Sequence, residues 1–165
     1  MSTTTTFERR FVPAREVRAR KADGAPTTLE GYAAVFDAYS LDLGFRERIA
    51  PGAFADALTR SDVRALFNHN PDYVLGRTKS GTMGLSEDEH GLRMSVTLSD
   101  SQMVRDMVVI PIERGDVSQM SFGFTTRKDH WAKVDDEWVR TLLEIEELFD
   151  VGPVTFPAYP DTDVA

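Results

Sequence analysis

The sequence predicts a single β-rich domain of the α+β class, in which about six or seven strands form a closed or nearly closed barrel with helices packed against it. Three observations support this class. A length of 165 residues fits one domain with a sizeable core. Short apolar segments recur along the chain between turns rich in glycine, proline and aspartate. Helical composition is confined to two segments.

Strands are predicted where apolar residues alternate with polar ones or run together between turns, at residues 7–17, 29–36, 63–67, 82–85, 92–98, 117–127 and 137–151. Residues 46–49 are a further short candidate. The clearest alternation lies at 92–98, where every second residue from Leu92 to Leu98 is apolar. Pro13 interrupts the first strand, and the polar turn 133–136 separates the last two.

Two helices are predicted. Pro51 and Gly52 open a short one at 53–59. The cluster Ser99–Asp100–Ser101 supplies N-cap residues for a second helix that runs to about Ile110. Pro111 conflicts with an unbroken continuation, so we expect a kink or an early stop there. Three prolines within 153–160 favour an extended exit from the domain.

Residues 1–28 form a basic N-terminal arm with the first strand, residues 29–162 form the main part of the single domain, and 163–165 are a tail. The basic residues of the arm crowd its first 21 positions: Arg9, Arg10, Arg15, Arg18, Arg20 and Lys21. A solvated arm and an arm that docks on an acidic partner both explain this run.

Composition limits the partners. The net charge is −8, and nucleic-acid binding usually needs a positive face, so we expect no direct contact with nucleic acid. No apolar run approaches the roughly 20 residues of a membrane span, and the chain opens without the apolar core of a secretory signal. We therefore expect a soluble protein of the cytoplasm. The lack of cysteine excludes disulfides and thiolate chemistry.

His69 is the histidine most suggestive of chemistry. It follows a predicted buried strand directly and lies between Asn68 and Asn70, in a strand-end loop of the kind that often displays catalytic groups. His90 and His130 fit surface turns. From the residues alone, a structural and a catalytic role for His69 are equally supported. A metal site built from the three histidines lacks any close His pair, and we expect none.

Ser121 lies in the segment Met120–Phe124, where alternation places Met120, Phe122 and Phe124 in the core and Ser121 on the opposite face. Gly123 leaves space beside the hydroxyl. The ordinary interpretation is a serine on the solvated side of a strand. A Ser/His pair also needs an acidic partner for the imidazole, and the downstream carboxylates offer four: Glu144, Glu146, Glu147 and Asp150.

Several blocks taken together resemble the tailed-phage (caudovirus) prohead maturation protease family, itself distantly similar to herpesvirus assembly proteases. The blocks follow one order: GYAAVF at 31–36, ERIAPGAF at 47–54, FNHN at 67–70, LGR at 75–77, RGDVSQMSFGF at 114–124 and LFDVGPVTFPAYP at 148–160. Each block is weak alone, whereas their order over residues 29–162 is specific.

This resemblance implies a barrel packed with helices and a serine endopeptidase that needs no cofactor. It implies His69 as general base, Ser121 rather than Ser118 as nucleophile, and Asp150 as third member with Glu147 as the alternative. The substrates would be scaffold segments and the major capsid protein, with self-processing, inside the immature capsid in the host cytoplasm. We also expect a homo-oligomer.

Backbone N–H groups near Gly123 or Gly152 are the expected oxyanion donors. Two other functions stay open at this point. A catalytically inactive capsid-assembly or scaffolding protein would keep the same core and fold. A small-molecule hydrolase would need a preformed apolar pocket that the sequence does not reveal.

Overall fold

The computed structural model describes residues 6–13, 17–40 and 43–156. These residues form ten strands and three α-helical segments: β1 Phe7–Pro13, β2 Arg18–Arg20, β3 Thr28–Val35, β4 Arg46–Ile49, α1 Ala55–Leu58, β5 Arg64–Leu66, β6 Val74–Arg77, β7 Met83–Glu87, β8 Gly91–Thr97, α2 Gln102–Val104, α3 Ile110–Arg114, β9 Gln119–Val134 and β10 Glu137–Val154. A single 3-10 turn spans Phe67–His69, and a π turn spans Arg105–Val109.

The strands belong to two sheets. The larger has the order β1-β9-β10-β5-β6, with β4 also pairing with β10, and the smaller has the order β2-β3-β8-β7. Strands β9 and β10 pair antiparallel in the interior of the larger sheet. These two strands meet at Asp135 and Asp136, whose φ angles of 50° and 64° suit a tight hairpin turn.

The core lies mainly between the two sheets. Met120, Phe122 and Phe124 of β9 are fully buried, which confirms the face predicted from alternation. Phe122 stacks on Phe124 with ring centroids 4.9 Å apart, and Phe54 meets Phe122 edge-on at 5.6 Å. From the smaller sheet, the alternating apolar residues of β8 enter the same cluster.

The β-rich, single-domain prediction is confirmed, whereas six or seven strands were too few. The strands β2 and β6 are absent from the prediction because each is at most four residues long, which is too short for a pattern to stand out. The barrel is not confirmed, since neither sheet closes on itself among the residues that the structure describes. The first strand spans Phe7–Pro13 in the structure, Val17 lies outside any strand, and residues 14–16 of the predicted range lie outside the described residues.

Of the two outcomes expected at Pro111, a kink or an early stop, the early stop is wrong, and the kink stays a prediction. Ser101 caps the helical segment by accepting a hydrogen bond from Val104 N at 3.2 Å, and helical backbone continues to Arg114. The segment passes through the π turn, and Pro111 is the second residue of α3. The proline exit at 157–160 and the predicted 163–165 tail lie outside the described residues.

No helix among the described residues is both long enough and apolar enough to cross a bilayer. The predicted arm contributes structure to both sheets. β1 pairs with β9 along the edge of the larger sheet, and β2 pairs with β3. Residues 6–13 therefore run directly beside the strand that carries Ser121.

Candidate active site

The turn after β5 places His69 over the larger sheet. Asn68 and His69 each have a φ of 55°, so two consecutive residues adopt the left-handed conformation that side chains usually avoid. Asn68 Oδ1 accepts a hydrogen bond from Thr155 N at 2.8 Å, and its Nδ2 donates to Thr155 Oγ1 at 3.1 Å. These two bonds hold the turn against the end of β10.

Ser121 and Asp150 lie on neighbouring strands of one hairpin. In the register of β9 and β10, Ser121 pairs with Gly152, and Gly123 pairs with Asp150. Residues two apart on a strand share a face, so the hydroxyl and the carboxylate project to the same side of the sheet. Gly123 lacks the β-carbon that would occupy the space of the carboxylate.

His69 bridges these two side chains. Its Nε2 lies 2.6 Å from Ser121 Oγ, and its Nδ1 lies 2.5 Å from Asp150 Oδ2. The His69 and Asp150 side chains are 11% and 9% exposed, and Ser121 is 2% exposed. An imidazole that donates its Nδ1 hydrogen to the carboxylate presents the Nε2 lone pair to the hydroxyl. This arrangement can remove the serine proton during attack on a carbonyl.

The other candidates from the sequence lie elsewhere. Ser118 is exposed and precedes β9. Glu147 is exposed and pairs with Thr125, and Glu146 binds Arg127 at 2.6 Å. Of the four carboxylates, Asp150 is the one in contact with His69.

Both glycines named as oxyanion donors lie inside paired strands. Gly123 pairs with Arg9 on one side and with Asp150 on the other. A β-carbon on Gly152 would lie 1.8 Å from the Leu66 carbonyl oxygen, so this glycine permits the close approach of β5 and β10. Each glycine leaves space for a neighbouring atom, because it has no side chain. The role of the two glycines as oxyanion donors stays a prediction.

The remaining histidines are not brought to the site. His90 is exposed at the turn before β8 and meets the Tyr32 ring edge-on, and His130 is exposed on the outer part of β9. Within the described ranges, no three His, Asp or Glu side chains cluster as a metal ion would require.

Sequence reasoning missed a contact between Ser121 and β1. Ser121 Oγ lies 2.8 Å from the backbone carbonyl oxygen of Arg10, in a geometry in which the hydroxyl donates. The register places Phe11 opposite Ser121 and Arg10 opposite Phe122. Strand β1 therefore covers Ser121, which explains its low exposure.

A set of five charged side chains, here called the β1 ion cluster, ties β1 to the sheet: Glu8, Arg10, Glu47, Asp129 and Arg140. Arg10 Nε lies 2.6 Å from Glu47 Oε1, and Arg140 Nη1 lies 2.7 Å from Glu8 Oε1 and 3.2 Å from Glu47 Oε2. Arg140 Nε also donates to Asp129 Oδ2 at 2.7 Å. The sequence feature that could have indicated the burial of Glu47 is the alternation of residues in β4. This alternation places Glu47 on the same face of the strand as Ile49, which is buried.

The pKa values of the cluster follow from its contacts. Desolvation raises the pKa of Glu8, but the hydrogen bond from Arg140 and the charges of Arg10 and Arg140 outweigh it, so this pKa lies below its usual range. Burial opposes the charge of Arg140, yet its bonds to Glu8 and Asp129 raise its pKa overall. Beside the cluster lies a cavity of about 230 Å³, lined in part by Arg10, Phe11, Glu47 and Phe122.

Comparison with known proteins gave two matches. A family model described as caudovirus prohead serine protease matches residues 14–165, so the match begins just after β1. The prohead protease of Enterobacteria phage HK97 is 31% identical over 146 residues, which cover 87% of this chain and 61% of that protein. The chain thus spans about three-fifths of the length of this relative. No solved structure matches significantly.

Proposed function

This chain belongs to the caudovirus prohead serine protease family, and from that premise we propose that it is a serine endopeptidase whose catalytic residues are Ser121, His69 and Asp150. The observation that carries the proposal is the pair of short contacts from the imidazole of His69, 2.6 Å to the hydroxyl and 2.5 Å to the carboxylate. Such a chain of contacts is what acyl transfer by serine requires.

In the proposed mechanism, Ser121 Oγ bonds to the carbonyl carbon of the scissile peptide while its proton passes to His69 Nε2. The tetrahedral intermediate then breaks its C–N bond, and His69 returns the proton to the leaving amine. Water repeats the sequence on the acyl-enzyme and restores the serine. Asp150 holds the Nδ1 hydrogen of His69 and stabilises the transient imidazolium. Gly123 and Gly152 remain the proposed sources of oxyanion donors.

The proposed substrates are scaffold segments and the major capsid protein of the same particle, cleaved during prohead maturation, together with the chain itself. Cleavage would take place inside the immature capsid in the host cell, and the enzyme would act as a homo-oligomer. Support comes from family membership and from the relative that is named a prohead protease.

We also propose that the two sheets are the two walls of a nearly closed barrel. Both β1 and β9 contact β3, and β6 contacts β8, so opposite edges of the larger sheet lie beside the smaller one. A crystal structure in which these edges stand apart would contradict the barrel.

The direct test is incubation of the chain with the major capsid protein from the same genome, followed by mass spectrometry of new termini. We expect discrete new termini with the wild-type chain and none with Ser121→Ala. Equal processing by both chains would refute the assignment of Ser121. No processing by either chain, in the presence of assembled capsid shells, would favour the inactive assembly protein.

A further inference from the structure

Among the described residues, strand β1 occupies the edge of the larger sheet beside β9, the strand that carries Ser121. It pairs antiparallel with β9 from Phe7 opposite Thr125 to Pro13 opposite Gln119, and it is the terminal strand of the larger sheet. With β1 in place, Ser121 is only 2% exposed. A substrate backbone has to approach within bonding distance of Oγ, so β1 and a substrate compete for the same edge of β9.

Arg10 makes the two contacts that matter most at this edge. Its carbonyl oxygen accepts the Ser121 hydroxyl at 2.8 Å. Its guanidinium donates to both carboxylate oxygens of Glu47, from Nε at 2.6 Å and from Nη2 at 3.0 Å. Glu47 is 2% exposed. One residue of β1 therefore engages the nucleophile with its backbone and a buried carboxylate with its side chain.

The hydrogen bonds that Glu47 would lose without β1 favour a cation in the place of Arg10. Removing β1 takes one carboxylate, Glu8, and one guanidinium, Arg10, out of the β1 ion cluster, so the net charge of the cluster stays at −1. Buried Glu47 nevertheless loses both hydrogen bonds from Arg10 and keeps one, from Arg140 Nη1 at 3.2 Å. A buried carboxylate with too few partners is costly, so the vacated site attracts a basic side chain. The fork of an arginine matches the carboxylate best.

We propose that β1 lies where the substrate strand binds, and that Glu47 selects substrates with arginine or lysine at the residue whose carbonyl lies next to Ser121. This inference rests on the proposed function and adds its substrate preference. Glu47 is a specificity residue, since it contacts the substrate side chain and none of the reacting atoms. The peptide chain of the substrate would continue the sheet, antiparallel to β9.

The contact with Arg10 also explains why β1 can rest on the nucleophile uncleaved. The hydroxyl hydrogen-bonds to the carbonyl oxygen, whereas attack requires approach of Oγ to the carbonyl carbon. A hydroxyl has one hydrogen, and when Arg10 holds it, His69 cannot accept it. Strand β1 thus acts as a bound competitor, and its release exposes Ser121.

The first test measures access to Ser121 by its rate of labelling with a serine-directed fluorophosphonate. Arg10→Ala removes the paired contacts to Glu47, and we expect labelling to be about tenfold faster than in the wild-type chain. Arg9→Ala is the matched control, because Arg9 is the exposed neighbour on the other face of β1. Labelling of Arg10→Ala at the wild-type rate would overturn the role of β1. If Ser121 is labelled in none of the chains, the proposed function fails first.

The second test measures the preference of the chain for a basic residue at the position that supplies the scissile carbonyl. Two internally quenched peptides, each spanning a capsid-protein cleavage site, differ only in arginine or glutamine at the residue that supplies the scissile carbonyl. We expect the wild-type chain to prefer arginine by about a hundredfold in kcat/KM, and Glu47→Gln to lose most of that preference while still cleaving. An unchanged preference would refute the role of Glu47.

A third measurement needs no variant and covers the case in which Glu47→Gln does not fold. The wild-type chain digests a mixture of unfolded proteins, and mass spectrometry identifies the new C-termini. We expect arginine and lysine to dominate them. A digest that is active but shows no enrichment of basic C-termini would contradict the preference while leaving the proposed protease function intact.

Discussion

Gly123 faces Asp150 across the β9–β10 pair so closely that a β-carbon on the glycine would lie 2.4 Å from Asp150 Oδ1. The same atom would lie 2.7 Å from the ring of Phe7. Because Gly123 has no side chain, the Asp150 carboxylate can lie within hydrogen-bond distance of His69, while β1 packs close to the same glycine. The position of the Asp150 carboxylate therefore depends on a glycine at residue 123.

Gly123→Ala should therefore lower the cleavage rate by about a hundredfold, because the added methyl displaces the Asp150 carboxylate from His69. Gly84→Ala is the control, since a β-carbon at Gly84 in β7 meets no atom within 4 Å. Rates on capsid protein and thermal unfolding of both variants check the prediction. Wild-type activity in a folded Gly123→Ala chain would show that the position of Asp150 does not limit catalysis.

Ser121→Ala and His69→Ala should each lower kcat by about 10⁴-fold or more, because each removes a partner in proton transfer. Residues that act as a unit are not additive, so the double variant should be no worse than either single one. Ser118→Ala, on the exposed residue before β9, should retain activity. Additive losses in the double variant would indicate that the two side chains do not work together.

Asp150→Asn should lower kcat by about 10⁴-fold, since an amide can donate to His69 Nδ1 and favour the tautomer that cannot accept the serine proton. Glu147→Gln should change kcat less than twofold, because Glu147 is exposed and paired opposite Thr125. Steady-state kinetics on one peptide substrate compares the two variants. A larger loss in Glu147→Gln than in Asp150→Asn would reverse the assignment of the third member.

Asn68→Ala should lower kcat by about tenfold to a hundredfold with little change in KM, because the His69 turn loses both bonds to Thr155. Asn68→Asp keeps the acceptor for Thr155 N and should recover part of the loss. Asn70→Ala is the control, as its side chain bonds only locally, to Asp72 N at 2.9 Å. A fall confined to KM would point to substrate binding instead of positioning of the imidazole.

Glu8→Gln should destabilise the fold at neutral pH by on the order of 1–2 kcal/mol. Because the folded pKa of Glu8 lies below the ordinary value of 4.5, its stabilisation is present above that value and is lost as the pH falls through the folded pKa. The gap to the wild type should therefore be smaller at an acidic pH, below 4.5, than at neutral pH. Urea unfolding at both pH values measures it, and Glu137→Gln, in an exposed pair with Arg46, should show a smaller gap. A gap independent of pH would contradict this account.

The well-predicted elements are those with strong local patterns. Apolar residues at every second position predict strand β8 and predict that Met120, Phe122 and Phe124 share a buried face. Both predictions are confirmed in the structure. The positions of His69 and Ser121 were proposed from sequence, and their 2.6 Å contact is consistent with that proposal. Short strands such as β2 and β6 carry too few residues to produce a pattern.

The choice among the downstream carboxylates could not be made by counting along the strand. The pairing of β9 and β10 shifts register at four places along β10: Leu142/Glu144, Glu144/Ile145, Ile145/Glu147 and Leu148/Asp150. Each shift inserts a residue and breaks strict alternation between faces. The contact of Asp150 therefore depends on bulges that the sequence does not mark, and family resemblance was what pointed to this residue.

The docking of β1 was equally hidden. Glu8 and Arg10 appear in the sequence as part of a basic arm. The partner of Arg10, Glu47, lies 37 positions away, and the partner of Glu8, Arg140, lies 132 positions away. Only folding brings these charges together. The strand predicted at the start of the chain pairs with β9 beside Ser121, a position that the sequence does not indicate.

Two of the three proposed catalytic side chains are carried by one hairpin, with consequences for how this site tolerates sequence change. Neighbouring strands stand about 4.8 Å apart because peptide groups, not side chains, set that spacing. Repacking of the interior can shift α1 or the 102–114 helical segment without altering the distance from hydroxyl to carboxylate. Relatives can therefore diverge widely in their cores while retaining the same chemistry.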